Sequence, residues 1–283
     1  MRVASVAQRL TVLTADGNAA DVAQLSDHRF LPDPQAVYER WDEFREWAAD
    51  RVPVSGGTAD AVVAPDTLGP PVPAPRQVFA IGLNYNDHAK ESGVALPEAP
   101  PTFTKFPTCI TGPHGELLLP SGSVDWEVEL VVVIGRPAHH VKEEEAWDYV
   151  AGLTVGQDFS ERKVQLTGPV PQFSLGKSFP GFGPIGPWLV TPDEFDDPDD
   201  LEISCTINGE EVQKARTSSM IFPVRELIAR LSAVCPLLPG DLIFTGTPSG
   251  VGMARTPPRF LSAGDMVVSR IEGIGEIRQR CFA

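Results

Sequence analysis

Cysteine is scarce and poorly placed for ligation: Cys109, Cys205, Cys235 and Cys281 are widely spaced and form no CxxC or Cys/His cluster. That argues against a zinc ribbon or a disulfide scaffold and leaves reduced core residues as the expectation. Positive charge is also short. With 23 Lys and Arg against 38 Asp and Glu, the formal net charge is −15, so binding to nucleic acid or to an anionic membrane surface is not expected. A small anionic substrate would need locally placed cations or a metal. No apolar run approaches membrane-spanning length, and Met1-Arg2-Val3-Ala4-Ser5 has no long apolar segment behind its positive charge, so a cytoplasmic protein is expected. No repeat of solenoid length is visible. What the chain does have is ample core, with 42% hydrophobic residues over 283 positions, enough for one large domain or a large and a small one.

The first fifty residues differ from the rest. Residues 3–13 and 19–25 read as two short strands joined through Asp16-Gly17-Asn18, and 34–50 as an acidic helix with Val37, Trp41, Phe44 and Trp47 at helical spacing. Residues 52–75 have the Pro- and Gly-dense composition of a linker, which places a boundary near residue 73. The expected division is a small N-terminal accessory domain with its linker, 1–73, and a catalytic domain, 74–283. Beyond the boundary strands predominate. Residues 201–207 alternate cleanly, and Asn208-Gly209 is a two-residue hairpin turn. Residues 222–234 predict a helix with Val224, Leu227, Ile228, Leu231 and Val234 on one face. Pro239-Gly240-Asp241 and Ala263-Gly264-Asp265 each turn into an apolar strand. The pattern is α+β, mostly β, with a rolled or barrel-like mixed architecture.

The chemistry concentrates in a few segments. In Asp125-Trp126-Glu127-Val128-Glu129-Leu130 the two glutamates share one face of a strand, about 7 Å apart, just before the apolar run through Ile134. Carboxylates carried into a core need a cation, a basic partner or a proton. Asp158, at a strand-to-loop junction, could complete a three-carboxylate site, and all-oxygen ligation suits Mg²⁺, Mn²⁺ or Ca²⁺ better than zinc. Asp125 lies on the same face, but Asp at a strand entry is more often a turn or capping residue. In 81–91, a helical turn from Asp87 would put His88 and Glu91 on one face, a usable general-base pair. Lys177 stands in an aromatic, glycine-rich loop where an ammonium could meet an oxyanion. The loop Thr245-Gly246-Thr247-Pro248-Ser249-Gly250-Val251-Gly252 could offer hydroxyls and N–H groups to a carboxylate, but lacks the Lys-Ser/Thr ending of a nucleotide loop.

Taken in order, these landmarks make residues 78–278 resemble the fumarylacetoacetate hydrolase family. They are Gly82-Leu83-Asn84-Tyr85 with His88 and Glu91, Trp126-Glu127-Val128-Glu129-Leu130, Asp158 with Ser160, Arg162 and Gln165, and Gly176-Lys177-Ser178-Phe179. Pro184 to Trp188, Asn208-Gly209-Glu210, Pro239-Gly240-Asp241, Thr245-Gly246-Thr247-Pro248 and Gly264-Asp265 follow. The resemblance implies a mixed β-roll catalytic domain, a small N-terminal α/β domain and a homodimer. It places Mg²⁺ or a related ion on Glu127, Glu129 and Asp158. His88 and Glu91 would be a water-activating pair on a lid spanning 84–92, and Lys177 the oxyanion-stabilising lysine. Tyr85, Arg162, Gln165 and Thr247 would be substrate contacts. Three departures from the family pattern are Gln157 before the metal Asp, Lys163 after the motif Arg, and Pro180 after Ser178-Phe179.

These parts imply a metal-dependent hydrolase that cleaves a C–C bond in a β-diketo acid, acylpyruvate-like or fumarylacetoacetate-like. The alternative is a decarboxylase, hydratase or isomerase acting on an oxaloacetate-like 2-keto acid. A silent binding protein would show damaged ligand positions, and none of the three carboxylates is missing.

Overall fold

A computed structural model of the chain describes residues 1–14, 18–49, 51, 63–91, 93, 95–120 and 122–283. Its framework is set by two β-rich runs, Val128–Ile134 and Val150–Gln157, every residue of which is buried. They pair antiparallel with Val128 opposite Gln157 and Val131 opposite Thr154. Alternation gives the first of these strands two different cores. Leu130, Val132 and Ile134 join one cluster, while Val131 and Val133 join the other.

An eleven-stranded sheet is built outward from this pair. On one side follow Gly183–Val190, Arg2–Val6, Arg9–Leu13 and Ala19–Asp21, and on the other Leu242–Phe244, Val78–Ile81 and Thr102–Thr104. A second, five-stranded sheet runs in the order Glu210–Arg216, Glu202–Ile207, Met266–Ile271, Gly275–Phe282, His114–Leu118. Mixed sheets with few helices are the mostly β, α+β class expected from the sequence. The Asn208-Gly209 turn forms as expected, both residues at positive φ (53° and 85°).

The N-terminal segment differs from the sequence reading in detail. The strand expected over 3–13 is a hairpin, Arg2–Val6 with Arg9–Leu13, turned by Ala7 and Gln8 at φ 48° and 62°. Neither residue is a usual positive-φ turn former, so the turn left no sequence signal. The strand expected over 19–25 stops at Asp21, whose carboxylate accepts the Gln24 N–H and starts the helix Val22–Leu25. Of the turn expected at Asp16-Gly17-Asn18, Asp16 and Gly17 lie outside the described residues, as do residues 52–62 of the expected linker and the last residue of the acidic helix.

That helix is a 3₁₀ turn, Ala36–Arg40, running into Trp41–Ala49. Its aromatic stripe is core: Phe44 packs on Phe30, Trp41 and Trp47 with ring centroids 5.4–5.9 Å apart, in the same cluster as Val131, Val133, Leu242 and Phe244. The N-terminal strands and this helix therefore share a core with the strand that carries the glutamates. Phe44→Ala should cost about 3–5 kcal/mol of unfolding free energy in urea titration. A loss below about 1 kcal/mol would mean that this cluster contributes little to stability.

The helix expected over 222–234 spans Val224–Ser232, begun at Pro223. Val234 falls past its end and is 86% exposed, so it does not belong to the buried face. All four cysteines are free; Cys109, Cys205 and Cys281 are buried and Cys235 is half-buried, slightly outside the core position expected of it.

Candidate active site

The register between the two central strands places Asp158. Since Val128 faces Gln157, the next residue outward on each side is Glu127 and Asp158, and the Asp158 N–H donates to the Glu127 carbonyl at 2.9 Å. Glu129 lies two residues further in. One carboxylate oxygen from each of Glu127, Glu129 and Asp158 lies within 4.8 Å of the others, and all three residues are buried. Asp158 does not cap the following helix; Glu161 does, accepting the Val164 N–H.

Three cations are packed into the cluster. The Lys177 ammonium donates to Glu127 Oε2 and Asp158 Oδ2, both at 2.6 Å. Lys105 donates to Asp158 Oδ1 at 2.6 Å and to the carbonyls of Lys177 and Phe182. The Arg162 guanidinium lies 2.7 Å from Asp125 Oδ2 and 2.8 Å from Glu127 Oε1. Asp125, Glu127, Glu129 and Asp158 thus face three cations, and Glu129 is the carboxylate without an ion pair among the described residues. It accepts the Gly246 N–H at 2.7 Å. Burial, then the charges of Asp158 and Glu127, push its carboxyl well above the usual range. Glu127 is buried too, but Lys177, Arg162 and His88 outweigh burial and hold its carboxyl low. For Lys177 burial works against the ammonium, while Asp158 and Glu127 overcome it and raise its pKa.

An under-compensated, dry carboxylate beside two others is an all-oxygen donor set with an excess of negative charge. Those residues fit a hard divalent cation.

The His88–Glu91 pair expected from the sequence sits on the helix Asn86–Glu91. His88 Nδ1 is 2.8 Å from Glu91 Oε1. The carboxylate can only accept, so it selects the Nδ1–H tautomer and leaves Nε2 for substrate or water. His88 is 8% exposed and close enough to Glu127 to act on its charge. Of the lid expected over 84–92, Ser92 lies outside the described residues. Its start is fastened by Asn84, whose side chain donates to the Phe222 and Thr245 carbonyls and accepts the Phe222 N–H.

Lys177 follows the turn Phe173–Gly176. Gly176 is needed there because a Cβ would come within 2.5 Å of the Gln165 backbone nitrogen. This close approach packs Lys177's loop on the helix Arg162–Gln165. Lys177 keeps its carboxylate partners despite Pro180, and Lys163 is exposed, so neither departure disturbs the cluster. Gln157 supports it: its Oε1 accepts the Glu127 N–H at 2.8 Å, and its Nε2 donates to Ser269 at 2.9 Å.

The expected substrate contacts divide. Tyr85 is 2% exposed and its hydroxyl has no hydrogen-bond partner among the described residues; burial, then the nearby Glu129 charge, raises its pKa. Arg162 is committed to Asp125, Glu127 and the Gln165 side-chain oxygen. The Thr247 hydroxyl donates to the Val128 carbonyl and accepts from Gln213. These bonds tie the loop to the glutamate strand. Lys105 and Gln213 carry no sequence signal as site residues, and Asp125 reads from the sequence as a turn residue. Each reads in isolation as an ordinary surface polar side chain; only strand register brings them inward.

Residues 77–281 match the model described as the fumarylacetoacetate hydrolase C-terminal domain. The human protein named oxaloacetate tautomerase FAHD2A, mitochondrial, is 48% identical over 209 residues, covering 73% of this chain and 67% of that protein. A Mycobacterium smegmatis crystal structure under the provisional name HpcE is 55% identical, with a TM-score of 0.93 over 100% of this chain and 99% of that one. Maleylpyruvate hydrolase from Sphingobium, solved with manganese(II) and pyruvate, is 28% identical with a TM-score of 0.78 over 100% and 99%. Among the described residues no helix is long and apolar enough to cross a membrane. With most of the chain matched by the family model and the same fold shared over its full length, this protein belongs to the fumarylacetoacetate hydrolase family.

Proposed function

We propose that this protein is a divalent-metal-dependent enzyme acting on a small oxaloacetate-like 2-keto acid, as a tautomerase or isomerase that moves a proton, or as a decarboxylase that releases CO₂ and protonates the enolate left behind. The observation that carries this reading is the His88–Glu91 pair beside three buried carboxylates and the Lys177 ammonium. Similarity to oxaloacetate tautomerases supports it over the C–C hydrolase expected first from the sequence. Glu127, Glu129 and Asp158 would hold Mg²⁺, or Mn²⁺ or Ca²⁺ in its place; the manganese in the maleylpyruvate hydrolase structure supports a divalent ion. Such a cation supplies positive charge that makes an enolate cheaper to form.

The chain's own residues do the rest. His88 Nε2 takes the proton from the carbon next to the 2-oxo group, and the resulting imidazolium is stabilised by Glu91 through Nδ1–H. Lys177 faces the oxygen on which negative charge develops. Return of the proton from His88 to that oxygen completes tautomerisation. The unpartnered Tyr85 hydroxyl, with Gln165, Arg162 and Thr247, forms the proposed substrate surround. Residues 1–73 serve as an accessory segment beside a catalytic 74–283, and the active form is a homodimer.

The test is oxaloacetate with Mg²⁺ or Mn²⁺, following the enol by ultraviolet absorbance and CO₂ separately. Faster keto–enol exchange or CO₂ release supports the reading. If only acylpyruvates react, giving two acids, the hydrolase reading replaces it, a possibility that the maleylpyruvate hydrolase relative keeps specific.

A further inference from the structure

Trp126 lies between Asp125, which holds a loop, and Glu127 of the carboxylate cluster, and its own role is not explained by that cluster. Its side chain is fully buried, with the Arg255 and Arg259 guanidinium groups 5.6 and 5.8 Å from its ring centre. Its Nε1–H donates to the Gly250 carbonyl at 3.2 Å. The other side of that residue faces the acid–base pair: the Gly250 N–H donates to both Glu91 oxygens, at 2.9 and 3.1 Å. Gly250 has φ +105°, and an added Cβ would come within 2.0 Å of the Val212 carbonyl, so the close fit here requires glycine.

Neighbouring contacts hold the rest of the loop. Asp125 accepts the N–H groups of Gly252 and Met253 at 2.7 and 2.9 Å, while pairing with Arg162, which also meets Glu127. Three consecutive residues therefore serve two ends of the site. Asp125 and Trp126 fix the loop that holds Glu91, and Glu127 enters the carboxylate cluster.

We propose that Trp126 is a positioning residue for the His88–Glu91 pair, acting through Gly250. Its indole N–H fixes the residue whose backbone N–H holds the Glu91 carboxylate, and that carboxylate in turn fixes the His88 tautomer. The inference rests on the reading of His88 as the proton carrier. Without the indole donor the Gly250 carbonyl keeps only the two longer Arg255 bonds, both at 3.4 Å, so Gly250 and Glu91 gain freedom, and less of the enzyme holds His88 in its productive tautomer.

Trp126→Phe keeps a ring beside the two arginines and removes the donor. It should lower kcat on the active keto acid roughly tenfold, the scale of one lost or misaligned neutral hydrogen bond. KM and Mg²⁺ affinity by calorimetry should stay unchanged. In the metal-free protein, ¹⁵N imidazole spectra should show His88 passing from one tautomer to a mixture, a change that loss of packing alone would not produce. If Trp126→Phe does not fold, β-(3-benzothienyl)alanine at position 126 keeps the indole shape without the N–H and gives the same readouts. Wild-type kcat and an unmixed His88 tautomer in the folded variant would overturn the proposal. His88→Ala separates the two failures: normal kcat there removes the proton-carrier reading itself, whereas a loss there with no effect at position 126 removes only the positioning role.

Discussion

Replacing Glu129 with Gln is expected to stop turnover and to stabilise the metal-free protein. Both effects come from one carboxylate. Glu129 is dry, lacks an ion pair among the described residues and carries a raised pKa from burial and its acidic neighbours. For an acid of this kind the folded state binds its proton more tightly than the unfolded state. Its contribution to stability is therefore most favourable at low pH and becomes unfavourable as pH rises from the unfolded pKa toward the folded one. Gln removes that cost and can still accept the Gly246 N–H. Metal-free Glu129→Gln should melt above metal-free wild type at neutral pH, by roughly 2–4 °C for each kcal/mol recovered.

With metal the order should reverse. Losing residues that merely support ligands costs roughly 10–100-fold in affinity or activity, so losing a ligand should exceed about 100-fold. In the wild type, Glu129 must release its proton for the ion, so Mg²⁺ affinity should rise with pH and binding should release protons. Calorimetry in buffers of different ionisation enthalpy measures that release. A variant that binds Mg²⁺ normally, or a metal-free variant less stable than wild type, would remove Glu129 from the proposed metal set.

The legible part of the site was the part written in consecutive residues. Glu127 and Glu129 announce themselves because period-two alternation puts them on one face ahead of an apolar run, and His88 and Glu91 because three-residue spacing on a helix makes them neighbours. Asn208-Gly209 specified its turn for the same local reason. The parts that depend on register were not legible. Lys105 follows a three-residue edge strand, Thr102–Thr104, and only that strand's place beside Val78–Ile81 brings its ammonium to Asp158. Asp125 looked like a turn residue because its partners, Arg162, Gly252 and Met253, are 37 to 128 residues away. At the N-terminus, the Ala7-Gln8 turn lacked the usual glycine or asparagine, so two strands read as one.

His88→Ala is expected to lower kcat by roughly 10² to 10⁴, the usual scale for losing a general base, while leaving the metal cluster and fold intact. The geometry separates these functions. His88 is bonded through Nδ1 to Glu91 and is not one of the three grouped carboxylates, touching their charge only at a distance through Glu127, whereas Glu91 is independently held by the Gly250 N–H. Removing the imidazole therefore deletes the proposed proton carrier without releasing the helix at Glu91. Glu91→Ala should cost less in kcat, since a neutral imidazole without its partner still accepts a proton from one of its two tautomers. Mg²⁺ titration and thermal melting of both variants provide the control: each should match wild type closely, apart from a modest melting loss where the Glu91 clasp is gone. A His88→Ala enzyme with near-normal kcat on its true substrate would show that this pair carries no proton in the reaction. The unpartnered Tyr85 hydroxyl and Lys177 would then be the groups left to move it, and their own variants, Tyr85→Phe and Lys177→Met, would have to show the loss that His88→Ala did not.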